Sequence, residues 1–204
     1  ATILLASVLV MPASASSEIS TNVPYETYMY DYYADPIITP HAYIPREVLN
    51  GELMGVGNFL EPSDLEIDKN GNLYVVDSGN NRVVVFDQNY KLKMILSEFT
   101  NNGAPDTFST PTGVTIAHDE TIYVADTENG RIVQFDKDGN FMRIIGDPKI
   151  TLLGDTYSYK PQKLAVDNSD NIYVIASGVN MGVILLASDG TFTGFVGAQS
   201  VSYN

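Results

Sequence analysis

An internal repeat constrains the fold of this chain more than any other feature of its sequence. The stretch YVVDSGNNRVVVFD at residues 74–87 recurs as YVADTENGRIVQFD at residues 123–136, and a weaker copy, YVIASGVNMGVILLAS, begins at Tyr173. The tyrosines that open the copies lie 49 and 50 residues apart. Three prolines keep the same offsets: Pro62, Pro111 and Pro161. A period of this length indicates that the chain stacks copies of one supersecondary motif.

Each copy contains four short segments rich in alternating or β-branched apolar residues. In the first copy these segments read SDLEID, NLYVVD, RVVVFD and LKMILSEF, and Gly, Asn and Asp occupy the turns between them. This pattern is typical of β-hairpins, and no segment shows a sustained helical period with caps. Units of about 40 to 50 residues with four strands each predict an all-β fold, a β-propeller of four-stranded blades.

The residues of the repeat resemble those of the NHL repeat. The first copy reads P-x-D-L…D-x-x-G-N-L-Y-V-V-D-x-x-N-x-R-V-x-x-F from Pro62 to Phe86. The third copy departs from the pattern, with Ala176 in place of Asp and Met181-Gly182 in place of Arg. The resemblance implies a propeller that has six blades when complete. Three full blades are expected in this chain, at residues 59–108, 109–158 and 159–204, the last of them degenerate.

The N-terminal residues have the pattern of a secretion signal. Residues 1–17 carry no charge, Ile3 to Met11 form a short apolar run, and Ala13-Ser14-Ala15 has the small-x-small form of a cleavage site. The run is too short for a stable membrane span. A buried N-terminal strand is the alternative interpretation of this segment. We therefore expect residues 1–15 to be part of a signal peptide and the mature chain to be secreted or held at the cell surface. The chain has no cysteine, which excludes disulfides and a lipidated N-terminal Cys.

Residues 16–58 are interpreted as an N-terminal segment that contributes outer strands to a closing blade. The stretch TYMYDYY at residues 27–33 alternates Tyr28, Tyr30 and Tyr32, and AYIPREVL at residues 42–49 follows a Pro-rich loop. We expect these to be the third and fourth strands of that blade, with its inner strands beyond this chain, which would make the chain a fragment. The tyrosines could also form a sugar-binding platform, but strand packing explains the alternation equally well.

Two Asp–Arg pairs recur at the same place in the first two copies. Asp77 precedes Arg82 by five residues, and Asp126 precedes Arg131 by the same distance, so each pair faces across a hairpin turn. One interpretation makes them catalytic acids and counter-cations. The other makes them structural ion pairs that fasten the turn, and recurrence in successive blades favours this second interpretation. The turns DKNGN and DKDGN that begin at Asp68 and Asp136 lack the length and the Glu of an EF-hand loop, so they are interpreted as hairpin turns.

Few residues suggest catalysis. The only histidines are His41, after a Pro, and His118, in a turn, and neither a G-x-S-x-G motif nor a phosphate-binding glycine loop is present. Glu66 lies in the middle of a predicted inner strand, where the other copies have Thr115 and Ala165. It is therefore a weak candidate for a metal ligand in a propeller channel, with an ordinary exposed strand residue as the alternative. No cofactor is predicted.

The predicted binding surface lies on the long connections between blades. These connections, TNNGAPDTFS at residues 100–109 and DPKITLLGDTYSY at residues 147–159, should share one face with the turns between second and third strands. The candidate binding residues on this acidic face are Asn80, Asn81, Asp106, Glu128, Asn129, Asp155 and Tyr157. Loops that bind no partner are the alternative.

The leading functional hypothesis is a secreted or surface scaffold that binds a protein, a peptide or a glycan. A formal net charge of −14 disfavours nucleic acid as the partner. The alternative hypothesis is a metal-dependent propeller lyase or lactonase, most of whose site residues would lie beyond this chain.

Overall fold

Two antiparallel strands account for the described part of the N-terminal unit. The structure, a computed structural model, describes residues 27–40, 48–154 and 157–197, and the chain divides into units at residues 1–48 and 49–204. In the first unit, β1 (Tyr28–Tyr30) pairs with β2 (Pro36–Ile38). The proposed signal segment, residues 1–15, lies outside the described residues.

The sequence prediction of one strand through residues 27–33 is wrong. The chain turns after Tyr30 because the Asp31 carboxylate accepts hydrogen bonds from the backbone N–H groups of Tyr33 and Asp35, at 2.8 and 2.9 Å. Tyr32 therefore lies in the turn and is 95% exposed rather than aligned with Tyr28 along a strand. The predicted partner strand at residues 42–49 lies outside the described residues up to residue 47, and residues 48 and 49 form no strand.

Three four-stranded antiparallel sheets make up most of the second unit, and in each the strands follow one another in chain order. We call these sheets blades 1, 2 and 3. Blade 1 contains β3 (Pro62–Ile67), β4 (Leu73–Asp77), β5 (Arg82–Phe86) and β6 (Leu92–Leu96). Blade 2 contains β9 (Pro111–Ile116), β10 (Ile122–Asp126), β11 (Arg131–Phe135) and β12 (Phe141–Ile145). Blade 3 contains β13 (Lys160–Val166), β14 (Ile172–Ser177), β15 (Val183–Leu186) and β16 (Phe192–Val196).

The connections between blades are more ordered than the sequence suggested. The first contains a hairpin, β7 (Glu98–Asn101) and β8 (Ala104–Thr107), where an irregular loop was predicted. The turn is Asn102-Gly103, and both residues have positive φ, 50° and 81°. Such a turn matches the right-handed twist of the strands it joins. The described residues also contain two 3-10 helices, Ser78–Asn80 and Thr151–Leu153. No described helix is long and apolar enough to cross a membrane.

Tight turns at the far ends of the strands are closed by aspartates. In the turn of blade 1, the Asp68 carboxylate accepts hydrogen bonds from the backbone N–H groups of Asn70 and Asn72, both at 2.9 Å. Asp136 makes the same pair of bonds to Asp138 and Asn140. These carboxylates close Asx-type turns on backbone donors, in agreement with the hairpin interpretation of both sequences.

The hydrophobic core lies between successive blades. Blade 1 contributes Tyr74 and Val76 to the junction with blade 2, which contributes Val114 and Phe135. The junction between blades 2 and 3 is built the same way, around residues such as Ile132 and Val174. Each blade therefore has two apolar faces, one for the preceding blade and one for the following blade.

The first strands of the three blades lie side by side, and Lys163 links them. Its ammonium group on β13 donates to the carbonyl oxygens of Ser63 (2.8 Å) and Thr112 (3.0 Å) and pairs with Asp64 at 3.0 Å. Gly113 on β9 permits the close approach, because a Cβ atom there would lie 2.2 Å from the Gln162 carbonyl oxygen. These contacts hold the first strands together at the inner edge of the arc.

Candidate binding face

The turn between β4 and β5 is fastened by a buried carboxylate. Asp77 is fully buried and accepts three hydrogen bonds, from Arg82 Nε at 2.7 Å, from Asn80 Nδ2 at 2.8 Å and from the Leu60 backbone N–H at 2.7 Å. Because Leu60 precedes the first strand, the carboxylate ties that entry segment to the turn. The contacts are those of an anchor, since no oxygen of Asp77 faces open solvent.

Blade 2 repeats this anchor and extends it. Asp126, also fully buried, accepts from Arg131 Nε at 2.7 Å, from Asn129 Nδ2 at 2.8 Å and from the Ser109 backbone N–H at 2.7 Å. Arg131 then reaches Asp106 on the hairpin of β7 and β8, with both terminal nitrogens 2.8 Å from the two carboxylate oxygens. One guanidinium group thus joins the blade to the hairpin.

The hydrogen bonds of Arg131 lower the pKa of Asp106 to about 2. The same guanidinium carbon lies 5.6 Å from the centre of the Phe99 ring, which packs in the junction core below it. A bidentate pair is geometrically specific, and the ring beneath it restricts the arginine further. The hairpin is therefore held in one orientation on the blade.

The turns of both blades and the connections between blades come together at one end of the sheets. We call this end, formed by residues 78–81, 98–110, 127–130, 147–154 and 157–159, the connection face. Asn81 Oδ1 accepts from the Thr110 backbone N–H at 2.7 Å, and Asn129 Nδ2 donates to the Thr107 carbonyl at 3.3 Å. Glu128 pairs with Lys160 at 2.7 Å. These contacts place Asn80, Asn81, Asp106, Glu128 and Asn129 on this face together.

Most of the candidate binding side chains use their polar atoms within the protein. Asn80 donates to the Asn58 carbonyl at 3.0 Å as well as to Asp77, and both oxygens of Asp106 are taken by Arg131. Since Glu128 is also paired with a base, these acids give the face less negative charge than the sequence suggested. The hairpin tip, residues 102–105, remains exposed.

A cleft of about 310 Å³ lies on the second connection, beside Tyr157. The Tyr157 hydroxyl donates to Asp147 and accepts from the Ile150 backbone N–H at 3.0 Å. Burial raises the pKa of Asp147, but hydrogen bonds from Tyr157 and Lys149 together outweigh it and lower that pKa. Burial and the hydrogen bond to Asp147 raise the pKa of Tyr157. Asp155, another candidate, lies outside the described residues.

The candidates for metal or acid–base chemistry are dispersed. Glu66 faces Tyr74 in the β3–β4 register, and burial together with Asp64 raises its pKa. His118 is exposed in the turn before β10. Within the described ranges, no three His, Cys, Asp or Glu side chains are grouped so that they could hold a metal ion. His41 lies outside those ranges.

Sequence reasoning missed three features of this face. The Arg131–Asp106 pair joins residues 25 positions apart. The residues around each of them give no indication that the other is its partner. The hairpin had a readable signal, because Asn-Gly between two extended segments is a strong indication of a two-residue turn. The hydrogen bonds of Tyr157 had no such signal in the sequence.

A protein-family model describes two segments of the chain. The model of the NHL repeat matches residues 59–86 and 108–135. The chain carries NHL repeats. Both matches begin three residues before the first strand, at Phe59 and Phe108, and end on the last residue of the third strand. Each NHL match therefore includes the Asp–Arg anchor, whereas blade 3, with Ala176 in place of the Asp, lies outside both.

Solved structures support the same fold. Selenomethionine-substituted virginiamycin B lyase from Staphylococcus aureus is 14% identical with a TM-score of 0.50, and the alignment covers 82% of this chain and 47% of the lyase. Hydrazine synthase of Kuenenia stuttgartiensis is 12% identical with a TM-score of 0.52, covering 77% of this chain and 40% of the synthase chain. The chain thus spans less than half the length of either protein. No curated protein sequence gives a significant match.

At these identities the likeness concerns the fold alone. Together with the NHL repeats and the three four-stranded antiparallel sheets, it identifies a β-propeller architecture. The prediction of an NHL-type propeller is confirmed. Whether these repeats serve a binding scaffold or an enzyme does not follow from the fold.

Proposed function

We propose that the chain is a binding scaffold whose connection face recognises a protein, a peptide or a glycan. The observation that carries the proposal is the β7–β8 hairpin. Arg131 clamps its base to blade 2 through Asp106, while residues 102–105 at its tip are exposed. A protruding segment held in one conformation loses little entropy on binding, so its contacts contribute more of their energy to affinity.

The cleft beside Tyr157 supports the same proposal. Its lining combines an acid, a base, a backbone turn and an aromatic ring: Asp147, Lys149, Ile150, Thr151, Gly154 and Tyr157. A concave site with few oriented polar groups suits a side chain of a peptide or one sugar unit. The overall charge of −14 makes nucleic acid an unsuitable partner.

The proposal extends to location. Residues 1–15 contain the apolar run and the small-x-small site of a signal peptide, which supports secretion or display at the cell surface. Fusing residues 1–58, behind an added initiator methionine, to a reporter that is active only after export would test this part. Retention of the reporter in the cytoplasm would contradict it.

The binding proposal can be tested by selection followed by blocking. A phage-displayed peptide library and a glycan array would be probed with the chain, and the affinity of each selected probe measured by calorimetry. Ala104→Arg adds a large charged side chain at the hairpin tip without removing a hydrogen bond, so we expect affinity to fall at least tenfold. Asn89→Arg makes the same addition in an exposed turn of blade 1 at the other end of the sheets and should leave affinity unchanged.

The opposite result would reject the connection face as the site. If Asn89→Arg weakens the selected probes and Ala104→Arg does not, the binding surface lies at the other end of the blades. A specific probe should be displaced from the chain by an excess of the same probe free in solution. If neither library yields such a probe, the scaffold proposal fails for peptides and glycans.

A lyase is the second candidate, because the fold is shared with virginiamycin B lyase. Glu66 is the one inner-strand carboxylate that the sequence singled out for such a role. Incubating the chain with virginiamycin B and divalent cations, and following the product by mass spectrometry, would test it. Turnover that is lost in Glu66→Gln, with the fold retained, would favour the enzyme over the scaffold.

A further inference from the structure

Four Asn-Gly dipeptides occur in the chain, and the structure holds them in place to different degrees. They lie at residues 50–51, 70–71, 102–103 and 129–130. An asparagine that precedes glycine is prone to attack on its side-chain carbonyl carbon by the next backbone nitrogen, because glycine has no Cβ atom to hinder the approach. Whether the nitrogen reaches that carbon in the folded protein depends on the contacts that hold the two residues.

One Asn-Gly pair belongs to the anchor of blade 2. Asn129 Nδ2 donates to the buried Asp126 carboxylate at 2.8 Å and to the Thr107 carbonyl at 3.3 Å. The Gly130 N–H donates to the Thr127 carbonyl at 3.0 Å, so the nitrogen that would attack is also engaged. Both the side chain and the backbone of this pair would have to leave their partners before they could react.

Two further Asn-Gly pairs are held in a similar way. Asn70 Nδ2 donates to the Glu120 carboxylate, and the glycine that follows donates its N–H to the Asp68 carbonyl at 3.0 Å. Asn50 Oδ1 accepts from the Leu53 backbone N–H at 3.0 Å, and the glycine that follows is buried. Each of these asparagine side chains is therefore oriented by a partner.

Asn102 and Gly103 form the exposed turn of the β7–β8 hairpin. Within the residues that the structure describes, neither the Asn102 side chain nor the Gly103 N–H makes a hydrogen bond. The strand pairing ends beside them, at Asn101 and Ala104. The attack requires the turn to leave its positive φ angles of 50° and 81°, and exposed turns with few contacts open at a low cost in free energy.

We propose that Asn102 is a site of spontaneous deamidation in the folded protein. The Gly103 nitrogen attacks the side-chain carbonyl carbon of Asn102, and the side-chain nitrogen leaves as ammonia with the proton that the Gly103 nitrogen loses. Water then opens the resulting five-membered succinimide ring at either of its carbonyl carbons. One product is aspartate, and the other is isoaspartate, in which the main chain runs through the former side-chain carbonyl. The conversion consumes water and releases ammonia, and it needs no other reactant.

Either product changes the connection face at the tip of the hairpin. Both place a carboxylate beside the exposed Ala104 and Pro105, where the unmodified chain has a neutral amide. Isoaspartate also adds a carbon atom to the main chain, so the turn no longer has the length that fixes the register between β7 and β8. Because Arg131 holds the base of the hairpin through Asp106, the change should be confined to residues 98–107. Deamidation at this turn is independent of the proposed binding function, since it needs no ligand.

Mass spectrometry of the folded 204-residue chain would test the proposal. The chain would be incubated in mildly alkaline buffer and digested, and the loss of asparagine at each Asn-Gly pair measured over time. Conversion at Asn102 should be about tenfold or more faster than at Asn70 and Asn129, because about 1.4 kcal/mol of additional opening cost slows a reaction tenfold. In water enriched in heavy oxygen the products should carry the label, since solvent opens the ring.

Two controls separate the effect of the fold from that of the sequence. In denaturant the four Asn-Gly pairs should convert at similar rates, because glycine follows the asparagine in all of them. Asn102→Gly removes the reactive amide and keeps the two-residue turn, since Gly-Gly is also favoured there. This variant should show no conversion at position 102 and unchanged rates at the other three pairs.

The structural consequence can be followed in the same samples by NMR. The amide resonances of residues 98–107 should shift as isoaspartate accumulates, while those of blade 3 stay in place. Unchanged resonances in the converted chain would contradict the loss of hairpin register. The proposal is overturned if folded Asn102 converts no faster than Asn129, or if Asn102 stays intact in the folded chain over the time in which the denatured chain converts.

Discussion

Replacing Asp77 by alanine should remove stability without unfolding the blade. The substitution deletes the acceptor for Arg82, Asn80 and the Leu60 backbone N–H, all within 2.8 Å of a fully buried carboxylate. Arg82 keeps its charge and its side chain is only 16% exposed. The mutant therefore contains a cation with little access to water and a backbone donor that has lost its acceptor.

The size of the effect follows from what remains unpaired. Removing one partner of a buried ion pair typically costs about 3–5 kcal/mol, because the other charge stays desolvated. Arg82 can rotate toward water from its partly exposed position, which places the expected loss at about 3–4 kcal/mol. For a domain of this size one kcal/mol shifts Tm by about 2–4 °C, so Tm should fall by roughly 6–16 °C.

Thermal unfolding followed by circular dichroism would measure this loss, with two controls. Asp77→Asn keeps an acceptor oxygen for the Leu60 N–H and should cost about half as much. Asp138→Ala removes a carboxylate that is 63% exposed and paired with Lys137, so Tm should change by less than about 2 °C. A drop in Tm for Asp77→Ala no larger than that for Asp138→Ala would refute the anchoring role. A large loss of ligand affinity in a stably folded Asp77→Ala protein would show that Asp77 acts in a functional site instead.

Three further outcomes are expected. Gly113→Ala should lose about 1–3 kcal/mol in urea unfolding, because its Cβ would meet the Gln162 carbonyl at 2.2 Å, whereas Gly146→Ala, with open space around it, should not. Asp106 has a pKa of about 2 in the folded protein, against an ordinary value of 3.8, so its ion pair stabilises the hairpin fully above about pH 4 and is lost as the pH falls toward 2. The amide resonance of Thr107, which donates to Asp106, should follow this titration. In Asp106→Asn the resonance should show no such titration. Lys163→Met should lower Tm by several degrees, since it removes three contacts that join the first strands of the blades.

The repeat made the blades predictable because each strand carries its own signal. Alternating apolar residues and Gly or Asn turns fix where a strand starts and ends, and the period fixes how many times the unit recurs. The Asp–Arg pairing was also accessible, since Asp77 and Arg82 lie five positions apart across a turn. Local chemistry alone determines these features.

Contacts between distant residues were not accessible in the same way. Lys163 contacts Ser63, which lies 100 positions away in the sequence. Arg131 pairs with Asp106, although the sequence contains many other acidic residues and does not distinguish Asp106 from them. In the N-terminal unit, period-2 tyrosines predicted a strand through Tyr32, but the Asp31 side chain captured two backbone N–H groups and turned the chain. A hydrogen-bonding aspartate outweighed the strand preference of its neighbours there.

Blade 3 shows how the repeat tolerates loss of its anchor. Ala176 takes the place of the buried Asp and lies 7% exposed in an apolar cluster with Ile150 and Tyr159. Removing a buried acid and its base together, and filling the space with apolar groups, costs far less than removing either one. The blade keeps its four paired strands for this reason. Restoring only the acid, by Ala176→Asp, would bury a charge with no arginine opposite, since Gly182 stands at that position, and should destabilise the blade that the natural sequence holds together by packing.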